Sequence, residues 1–395
     1  MSRKIGKEKG WGSRTGRTTK RKIECAVTSE LESADLSDEI LKTILTVPSE
    51  LHEAIKEILA KRERVRTEHG PAKVAFKTKL GTLFNGDCLR VLEKLEDESI
   101  DCIFADPPFN LSKEYENGKS DRLSDSDYWA WTREWLDLCC AKLKTGGAFY
   151  VYNLPKWATL IASHLAKKIT FRHWIAVDIT FSMPIPSRLY PSHYALLYFI
   201  KGGRPNRFTP PRLPMETCPR CGKELHDYGG YKMKMNPQGI SLRDVWVDIP
   251  PVRHSKYKNR DANELSLKLL DRVLDISTQE GDLVFDPFGG SGTTFVAAEL
   301  KRRKWIGAEL GDCSSIVERF KSLERDHSSL ERYRLGLNQL FTDKALMARH
   351  KHGLPLDNYR VSDEQIRRVI RVVSSDAPKN QKNRQTTEQS TFPDL

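Results

Sequence analysis

Residues 282–300 read DLVFDPFGGSGTTFVAAEL, and this stretch decides the fold. Residues 283–285 form an apolar run typical of a buried strand, whereas the pattern at 295–300 is typical of a helix. Three glycines stand in the turn between them: Gly289, Gly290 and Gly292. Glycines permit a tight turn and a close approach of the backbone to a ligand. Open α/β sheets bind ligands where their strands end, and a helix N-terminus attracts anionic groups, so residues 286–294 (the glycine loop) are predicted to be a binding site.

Other interpretations of the glycine loop are a phosphate-binding loop, a dinucleotide-binding site and a flexible linker. The loop lacks the Gly-Lys-Ser/Thr of the first and the glycine spacing of the second. A flexible linker is disfavoured because a strand and a helix enclose the loop on both sides. The next strand pattern ends in Glu309, where a carboxylate is placed to accept hydrogen bonds from a ribose.

A second string, Asp106-Pro107-Pro108-Phe109, follows an apolar run at 100–105 that also predicts a buried strand. Its chemistry suits the exocyclic amino group of a base, which is a poor nucleophile because its lone pair delocalises into the ring. The Asp106 carboxylate and the Pro107 carbonyl accept the N–H bonds of that group and so aim the lone pair. Proline holds its carbonyl rigidly, and Phe109 offers a face for an extruded base. An ordinary Pro-Pro turn is the alternative, and the glycine loop makes it the weaker one.

The net charge of +12 is concentrated in two segments. Residues 1–22 carry nine lysines and arginines against one glutamate, and residues 201–260 carry thirteen against five acidic residues, so each segment has a net charge of +8. Such segments favour a polyanionic partner, because lysine and arginine release counterions from phosphates. For residues 1–22 a solvated tail is an equal alternative. For residues 201–260, which also carry five aromatic side chains, nucleic-acid contact is the better interpretation.

The sequence also bears on where the protein resides. No stretch of about 20 apolar residues predicts a membrane span, and no apolar segment follows the basic start as in a secretory signal. Several of the eight cysteines lie within apolar strand or helix patterns, which is typical of buried thiols in a reducing compartment. A cytoplasmic protein without membrane contact is expected.

The two strings together resemble the β-class DNA amino-methyltransferases, which use S-adenosylmethionine. In that family the catalytic string precedes the target-recognition region and the cofactor string comes last. The resemblance covers about residues 80–315. Three further segments carry it: Asn85-Gly86-Asp87-Cys88, Leu143-Lys144-Thr145-Gly146-Gly147 and Asp244-Val245-Trp246-Val247-Asp248-Ile249. It implies a duplex DNA substrate.

About seven strand patterns alternate with helix patterns, which predicts the α/β class with a doubly wound, mostly parallel sheet. The resemblance implies a seven-stranded methyltransferase sheet with circularly permuted motif order. The expected organisation is a disordered basic tail at 1–36, a helical extension at 37–75, a catalytic half at 76–200, a basic target-recognition insertion at 201–260, a cofactor-binding half at 261–315, a helical extension at 316–375 and a disordered tail at 376–395.

The resemblance also implies a role for each residue of the two strings. The target amino group would be held by Asp106, Pro107, Pro108 and Phe109. S-adenosylmethionine would be bound by Asp286, Phe288, Gly289, Gly290 and Gly292, with Ser291, Thr293 or Thr294 near its carboxylate, Glu309 at its ribose and Asp87 at its adenine.

Two departures from the family pattern bear on these roles. Residues 263–266 read NELS where the family often has Thr-Gln-Lys-Pro, and Phe109 stands where tyrosine is usual, which keeps stacking but loses a hydroxyl. In the family an initial aspartate usually goes with adenine N6 and an initial serine with cytosine N4, so Asp106 favours adenine, with cytosine N4 as the alternative. Methylation at cytosine C5 is not expected, because no Pro-Cys dipeptide supplies a thiolate nucleophile.

Cys218 and Cys221 have the Cys-x2-Cys spacing of half a zinc site, and His226 follows at a knuckle-like distance. Tyr231 stands where the last cysteine of a knuckle would be, so the fourth ligand is missing locally, and His254 is the candidate to complete the site. A structural zinc that braces the recognition region and a metal-free turn both stay open.

Two other functions share part of this evidence. An RNA methyltransferase would have the same fold and both strings, but the permuted order around a large basic insertion disfavours it. A catalytically silent nucleic-acid-binding protein is disfavoured because Asp106 and the glycines are intact. A cognate restriction endonuclease is a candidate partner, and a monomer or homodimer is expected.

Overall fold

A computed structural model of the protein describes the chain in seven stretches. These are residues 70–111, 123–179, 186–187, 189–218, 220–223, 235–249 and 264–354. The predicted tails at 1–36 and 376–395 lie outside the described residues, as do residues 37–69 and 355–375 of the two expected helical extensions.

Strands in the described residues form one large sheet and one small pair. In chain order they are β1 (Lys73–Lys77), β2 (Gly81–Asn85), β3 (Ile100–Ala105), β4 (Leu143–Asn153), β5 (Thr170–Asp178), β6 (His193–Ile200), β7 (Arg212–Leu213), β8 (Ile240–Ser241), β9 (Val245–Trp246), β10 (Leu283–Asp286) and β11 (Lys304–Glu309). The large sheet has the order β1-β2-β11-β10-β3-β4-β6-β5-β9, and β7 pairs with β8.

The helices are α1 (Cys88–Lys94), α2 (Asp125–Lys142), α3 (Pro155–Leu165), α4 (Leu267–Ser277), α5 (Thr293–Leu300), α6 (Ser314–Lys321), α7 (Glu324–Leu335) and α8 (Asp343–Lys351). Local sequence explains several of their first turns, because side-chain oxygens satisfy N–H groups that have no partner within a helix. Ser124 accepts from the N–H of Asp127 before α2, and Thr342 accepts from the N–H of Ala345 before α8. Among the helices that the structure describes, none is long and apolar enough to cross a membrane.

The sheet confirms the predicted α/β architecture. Strands β2, β11, β10, β3 and β4 run parallel to one another, and β6 lies antiparallel between β4 and β5. The chain winds outward from β3 in one direction, then returns at β10 and continues outward in the other direction. All seven predicted strands are part of this sheet.

Two edge strands make the sheet nine-stranded rather than seven-stranded. Strand β1 forms an antiparallel hairpin with β2, and its first residues, 73–75, fall in the segment that was expected to be helical. Strand β9 lies within the basic insertion and pairs with β5 through only two residues. An edge strand this short leaves little periodic signal in the sequence.

A third difference concerns residues 145–147, because their sequence Thr-Gly-Gly predicts a turn before β4. The structure places them inside β4, where the register against β3 shifts between the pairs Ile100–Leu143 and Cys102–Ala148. Gly146 has a φ of +80° at this bulge, a conformation that glycine adopts without strain.

The core consists of two apolar layers, one on each face of the large sheet. Helices α1, α2 and α3 cover one face, where Trp135, Phe149 and Trp157 are buried together. Helices α4, α5 and α6 cover the other face, where Val296 and Ile316 are buried with side chains of the central strands. Burial on both faces explains why the central strands are almost continuously apolar.

Gly307 of β11 shows how closely α5 packs on the sheet. A Cβ atom added to Gly307 would lie 2.1 Å from Cζ of Phe295. Phe295 cannot retreat easily, because its ring stacks on Trp305 with a centroid separation of 5.0 Å. A larger side chain at this position therefore displaces the helix or the aromatic stack.

We predict that Gly307→Ala lowers the unfolding free energy by about 1–3 kcal/mol, the usual cost of overpacking a core. Denaturant unfolding followed by circular dichroism measures this change. Gly203→Ala is the matched control, because a Cβ atom at Gly203 meets nothing within 4 Å. Equal midpoints for the two variants would contradict this account of the packing.

Candidate active site at the carboxyl edge of the sheet

Four predicted carboxylates lie at one edge of the sheet, where neighbouring parallel strands end. Asp286 ends β10, Glu309 ends β11, Asp106 directly follows β3, and Asp87 follows β2 two residues after its end. Because β2, β11, β10 and β3 are consecutive in the sheet, the structure brings both predicted strings to the same crevice. This is the position at which doubly wound sheets bind ligands.

The glycine loop turns directly into α5. Gly292 precedes the helix with a φ of +76°, and Gly290 has a φ of +56°. The N–H of Gly292 donates to the Gly289 carbonyl at 2.8 Å, which closes the turn. Gly292 is also needed for packing, because a Cβ atom there would lie 2.8 Å from Cγ2 of Ile316. The turn directs the first N–H groups of α5 towards the crevice, as an anion site requires.

Asp286, the last residue of β10, holds the glycine loop in place. Its side chain is 2% exposed, and its two oxygens accept from the N–H of Phe288 at 2.9 Å and from the hydroxyl of Thr294 at 2.5 Å. Burial raises the pKa of Asp286 well above its usual range, the two hydrogen bonds oppose that shift, and the charges of Asp106 and Glu309 add to it. The charges of Asp106 and Glu309 therefore act on Asp286 across the crevice, an arrangement that favours a cationic ligand.

Glu309 ties the glycine loop to the next strand. One of its oxygens accepts from the N–H of Gly290 at 2.6 Å, and the other accepts from the N–H of Gly311 at 2.8 Å. An ionised carboxylate has about four acceptor positions, so these two bonds leave capacity for the hydroxyls of a ligand. Glu309 is thus held in place at the position predicted for a ribose contact.

Asp87 caps α1 and lies near the same edge. Its Oδ1 accepts from the N–H of Leu89 at 2.8 Å. The preceding Asn85 donates to the carbonyls of Glu309 and Gly311 at 3.0 Å and 2.6 Å, which joins the ends of β2 and β11. The structure therefore brings Asp87 to the crevice, and its proposed contact with an adenine ring stays a prediction.

Phe288 extends from the glycine loop towards α2. Its ring contacts two tryptophans of that helix, Trp131 at a centroid distance of 5.7 Å and Trp135 at 5.2 Å. Phe288 is only half-buried, so one side of it still borders the crevice. The loop is consequently fixed by apolar contacts on this side and by hydrogen bonds on the other.

An aromatic cluster surrounds the Asp106 string. Phe109 lies 5.6 Å from Tyr194 and 6.5 Å from Tyr152, and the two tyrosines lie 5.0 Å apart. Burial raises the pKa of Tyr152, and the neighbouring Asp106 carboxylate raises it further, so this phenol stays protonated. The cluster offers a stacking surface directly beside Asp106.

Two side chains hold the carbonyl groups of the Asp106 string. The hydroxyl of Tyr128 donates to the Pro108 carbonyl at 2.7 Å, and Nε1 of Trp157 donates to the Phe109 carbonyl at 3.0 Å. The Tyr128 and Trp157 rings contact each other at a centroid distance of 4.5 Å. Helices α2 and α3 therefore fix the backbone that follows Pro107.

Residues outside the two strings thus complete the site. Tyr152 and Tyr194 lie at a strand end and a strand start, and their aromatic character was the only sequence signal. Tyr128 and Trp157 belong to ordinary amphipathic helix patterns and have no sequence signal for this role. A fifth residue, Arg319 of α6, donates to the Ser291 carbonyl at 3.1 Å.

The turn that carries the cysteine pair lies beside α8, where Nη1 of Arg349 donates to the Gly222 carbonyl at 3.2 Å. Backbone N–H groups of Cys221 and Arg220 lower the pKa of Cys218. Within the described part of the chain, no group of three or more histidine, cysteine, aspartate or glutamate side chains is arranged to hold a metal. His226 and His254, the other ligands considered, lie outside the described residues.

Comparisons with known proteins show which family the chain is similar to. Residues 100–315 match the model of the N6/N4 family described as DNA methylase. Type II methyltransferase M.BamHI of Bacillus amyloliquefaciens is 52% identical over 286 residues, which cover 72% of this chain and 68% of that protein. DNA adenine methyltransferase YhdJ of Escherichia coli (strain K12) is 30% identical over 253 residues, 62% of this chain and 83% of that protein. The solved M1.HpyAVI–SAM complex is 18% identical with a TM-score of 0.42, covering 62% of this chain and 100% of that one.

The raised pKa of Asp286 predicts a pH-dependent stability. A carboxyl group whose pKa is higher in the folded state than its unfolded value of about 3.9 makes unfolding easier as the pH rises. We expect the unfolding free energy of the wild type to fall relative to Asp286→Asn from about pH 4 upward, by at most about 1.4 kcal/mol per pH unit, until the folded pKa is passed. Denaturant titrations of both proteins, about one per pH unit from about pH 5 to about pH 9, measure the difference between their unfolding free energies.

Asparagine keeps an acceptor for the N–H of Phe288, so the comparison isolates ionisation. Asp125→Asn is the control, because it removes a carboxyl group that is exposed and paired with Lys156 rather than buried. A constant difference between wild type and Asp286→Asn across this range would show that burial does not penalise the ionised form.

Proposed function

This chain belongs to the N6/N4 DNA methylase family, and we propose that it transfers the methyl group of S-adenosylmethionine to the exocyclic amino group of a base extruded from duplex DNA. One observation carries the proposal. The Asp106 string and the glycine loop, about 180 residues apart in the chain, lie side by side where β3 and β10 end. An acceptor for an amino group and a site for a cationic, amino-acid-like cofactor are thus adjacent.

The donor groups of the crevice fit S-adenosylmethionine. The charges of Asp106 and Glu309, which both act on Asp286, favour the sulfonium charge. The N-terminus of α5 with Ser291, Thr293 or Thr294 suits the amino-acid carboxylate. Glu309 is assigned to the ribose hydroxyls, Asp87 to the adenine end, and Phe288 to the wall of the site. When bound, the cofactor supplies an electrophilic methyl group.

The Asp106 string prepares the amino group for direct transfer. The Asp106 carboxylate and the Pro107 carbonyl accept its N–H bonds, which directs the nitrogen lone pair towards the methyl carbon. A base within a duplex is out of reach of these groups, so it must be extruded onto the surface formed by Phe109, Tyr152 and Tyr194. The nitrogen lone pair forms the carbon–nitrogen bond as the carbon–sulfur bond breaks, and the electron pair of that bond stays on the sulfur of the departing thioether. The methylated nitrogen loses one proton to water, and no covalent intermediate forms on the protein.

Adenine N6 is the first candidate acceptor and cytosine N4 the second. The aspartate at the start of the string supports adenine through the family pattern, and one relative is named a DNA adenine methyltransferase. The family itself is named for both amino groups. Chemical analysis of the methylated DNA is therefore needed to identify the base that accepts the methyl group.

The wider setting is part of the same proposal. The basic segment at 201–260 is assigned to recognition of the DNA target, since its charge suits phosphates and its aromatic residues suit bases. The name type II methyltransferase of the M.BamHI relative supports a restriction–modification setting with a cognate endonuclease as partner. A cytoplasmic monomer or homodimer fits that setting.

The test is to incubate the protein with unmethylated duplex DNA and S-adenosylmethionine labelled in the methyl group, and to digest the DNA to nucleosides. We expect label on N6-methyladenine. Label on N4-methylcytosine would support the same mechanism and identify cytosine as the methylated base. Label only on RNA run in parallel would contradict the DNA substrate, and no binding of the cofactor would support a silent DNA-binding protein.

Asp106→Ala supplies the matched control for this test. We expect it to bind S-adenosylmethionine like the wild type but to lose methylation by about 10²–10³-fold or more, the usual loss when one preorganised polar contact to the reacting group is removed. Calorimetry measures the first quantity and label incorporation the second. Methylation close to wild type would rule out the role of Asp106.

A second prediction concerns the hydroxyl of Tyr128. Tyr128→Phe keeps the ring contact with Trp157 but leaves the Pro108 carbonyl without its donor. We expect kcat to fall by about 10-fold, because one buried hydrogen bond that positions the string is lost, while cofactor affinity stays unchanged.

Tyr150→Phe is the control for Tyr128→Phe. It also removes a buried hydroxyl, which contacts Ser277 Oγ at 2.5 Å on the face covered by α4. We expect this control to lower the melting temperature without changing kcat. Equal kcat values for the two variants would show that the Tyr128 bond serves stability alone.

A further inference from the structure

We propose that Arg319 is a positioning residue that holds the glycine loop in the shape that binds the cofactor. Arg319 lies on α6, just beyond the residues matched by the family model, 100–315. The inference rests on the proposed function, because it assigns S-adenosylmethionine to the loop. It adds a part of the site that neither the two strings nor the family pattern contains.

The guanidinium of Arg319 contacts the loop at two points. Its Nη1 donates to the Ser291 carbonyl at 3.1 Å and to the hydroxyl of Thr293 at 3.0 Å. The Thr293 hydroxyl is in turn 3.0 Å from Oγ of Ser291. One cation therefore orients both the backbone and the hydroxyls at the start of α5, which are the groups proposed to receive the cofactor carboxylate.

Two acidic side chains hold the guanidinium in place. Nε and Nη2 of Arg319 donate to the two oxygens of Asp326 at 3.0 Å and 2.9 Å, and Oε1 of Glu264 lies 3.5 Å from Nη1. The side chains of Arg319 and Glu264 are 4% and 3% exposed. Paired forks of this kind have a defined geometry that lysine cannot reproduce.

This pairing decides how Arg319 acts. Two carboxylates already balance its charge, so it does not serve as the counter-charge of a bound anion. It acts through the loop by holding Ser291 and Thr293 in one arrangement before the cofactor arrives. Such preorganisation increases affinity because less conformational freedom is lost on binding.

Two residues of the segment at 263–266, Glu264 and Leu265, take part in the same network. This segment reads NELS where the family often has Thr-Gln-Lys-Pro, and Glu264 is the residue of it that reaches Arg319. The next residue, Leu265, has its carbonyl 3.5 Å from the Thr293 hydroxyl. Glu264 therefore supports the glycine loop through Arg319, and Leu265 contacts the loop directly.

Arg319→Gln tests the proposal, with binding of S-adenosylmethionine measured by calorimetry and the KM values for cofactor and DNA measured separately. We expect the cofactor Kd and KM to rise by about 10-fold or more, because two charged hydrogen bonds to the loop are lost, while the KM for DNA changes by less than about 2-fold. A merely structural role would lower the melting temperature without this split between the two substrates.

Arg303→Gln is the matched control. Arg303 is also buried and bonded to backbone carbonyls, those of Thr278 and Lys301, but it lies where β11 begins, at the opposite edge of the sheet. We expect Arg303→Gln to lower the melting temperature and to leave the cofactor Kd unchanged. An equal rise of the cofactor Kd in both arginine variants would overturn the proposal.

Asp326→Asn keeps the proposal testable where Arg319→Gln does not fold. It retains the guanidinium but weakens its anchor, so a smaller rise of the cofactor Kd, about 3-fold or more, is expected. Wild-type affinity in a folded Arg319→Gln, or in Asp326→Asn where only that variant folds, would overturn the role of Arg319. Failure of the wild type itself to bind the cofactor would instead overturn the proposed function.

Discussion

The parallel pairing of β3 with β10 is the contact on which the rest of the site depends. Cys102 pairs with Val284 and Ile103 with Phe285, although the two strands are about 180 residues apart. A carboxylate at the start of β3 secures this register, because Asp101 accepts from the N–H of Leu283 at 2.9 Å and is paired with Lys144. Side chains alternate along a strand, so a slip of one residue would turn Asp286 away from the crevice and separate it from Asp106.

That pairing creates an electrostatic cost, which the surrounding structure offsets. Burial opposes the ionisation of Asp286, and the nearby charges of Asp106 and Glu309 add to this effect. Backbone N–H groups and a threonine hydroxyl compensate, and most of these donors belong to the glycine loop. The loop is therefore shaped by its own carboxylates, and a cationic ligand relieves the repulsion that remains.

The architecture and the position of the crevice were predictable from the sequence because both depend on local patterns. Buried strands leave continuous apolar runs, and the glycine loop and the Asp106 string each follow such a run. The edge strands were missed because they are short and pair on one side only. The turn predicted at 145–147 became a bulge because β4 continues through it beside β3. Tyr128, Trp157 and Arg319 were missed for another reason: each acts through a contact between distant segments, which no local pattern records.

Tyr128, Trp157 and Arg319 also show that helices on both faces of the sheet support the site. Tyr128 and Trp157 reach the Asp106 string from the face covered by α1, α2 and α3, whereas Arg319 reaches the glycine loop from the face covered by α4, α5 and α6. The polar braces of the two strings thus come from different layers, while the ring contacts of Phe288 also join the glycine loop to α2. Substituting one polar brace then changes mainly the string that it holds, provided that the β3–β10 register is preserved. A doubly wound sheet permits this arrangement because different helices pack on its two faces while its strand ends meet at one edge.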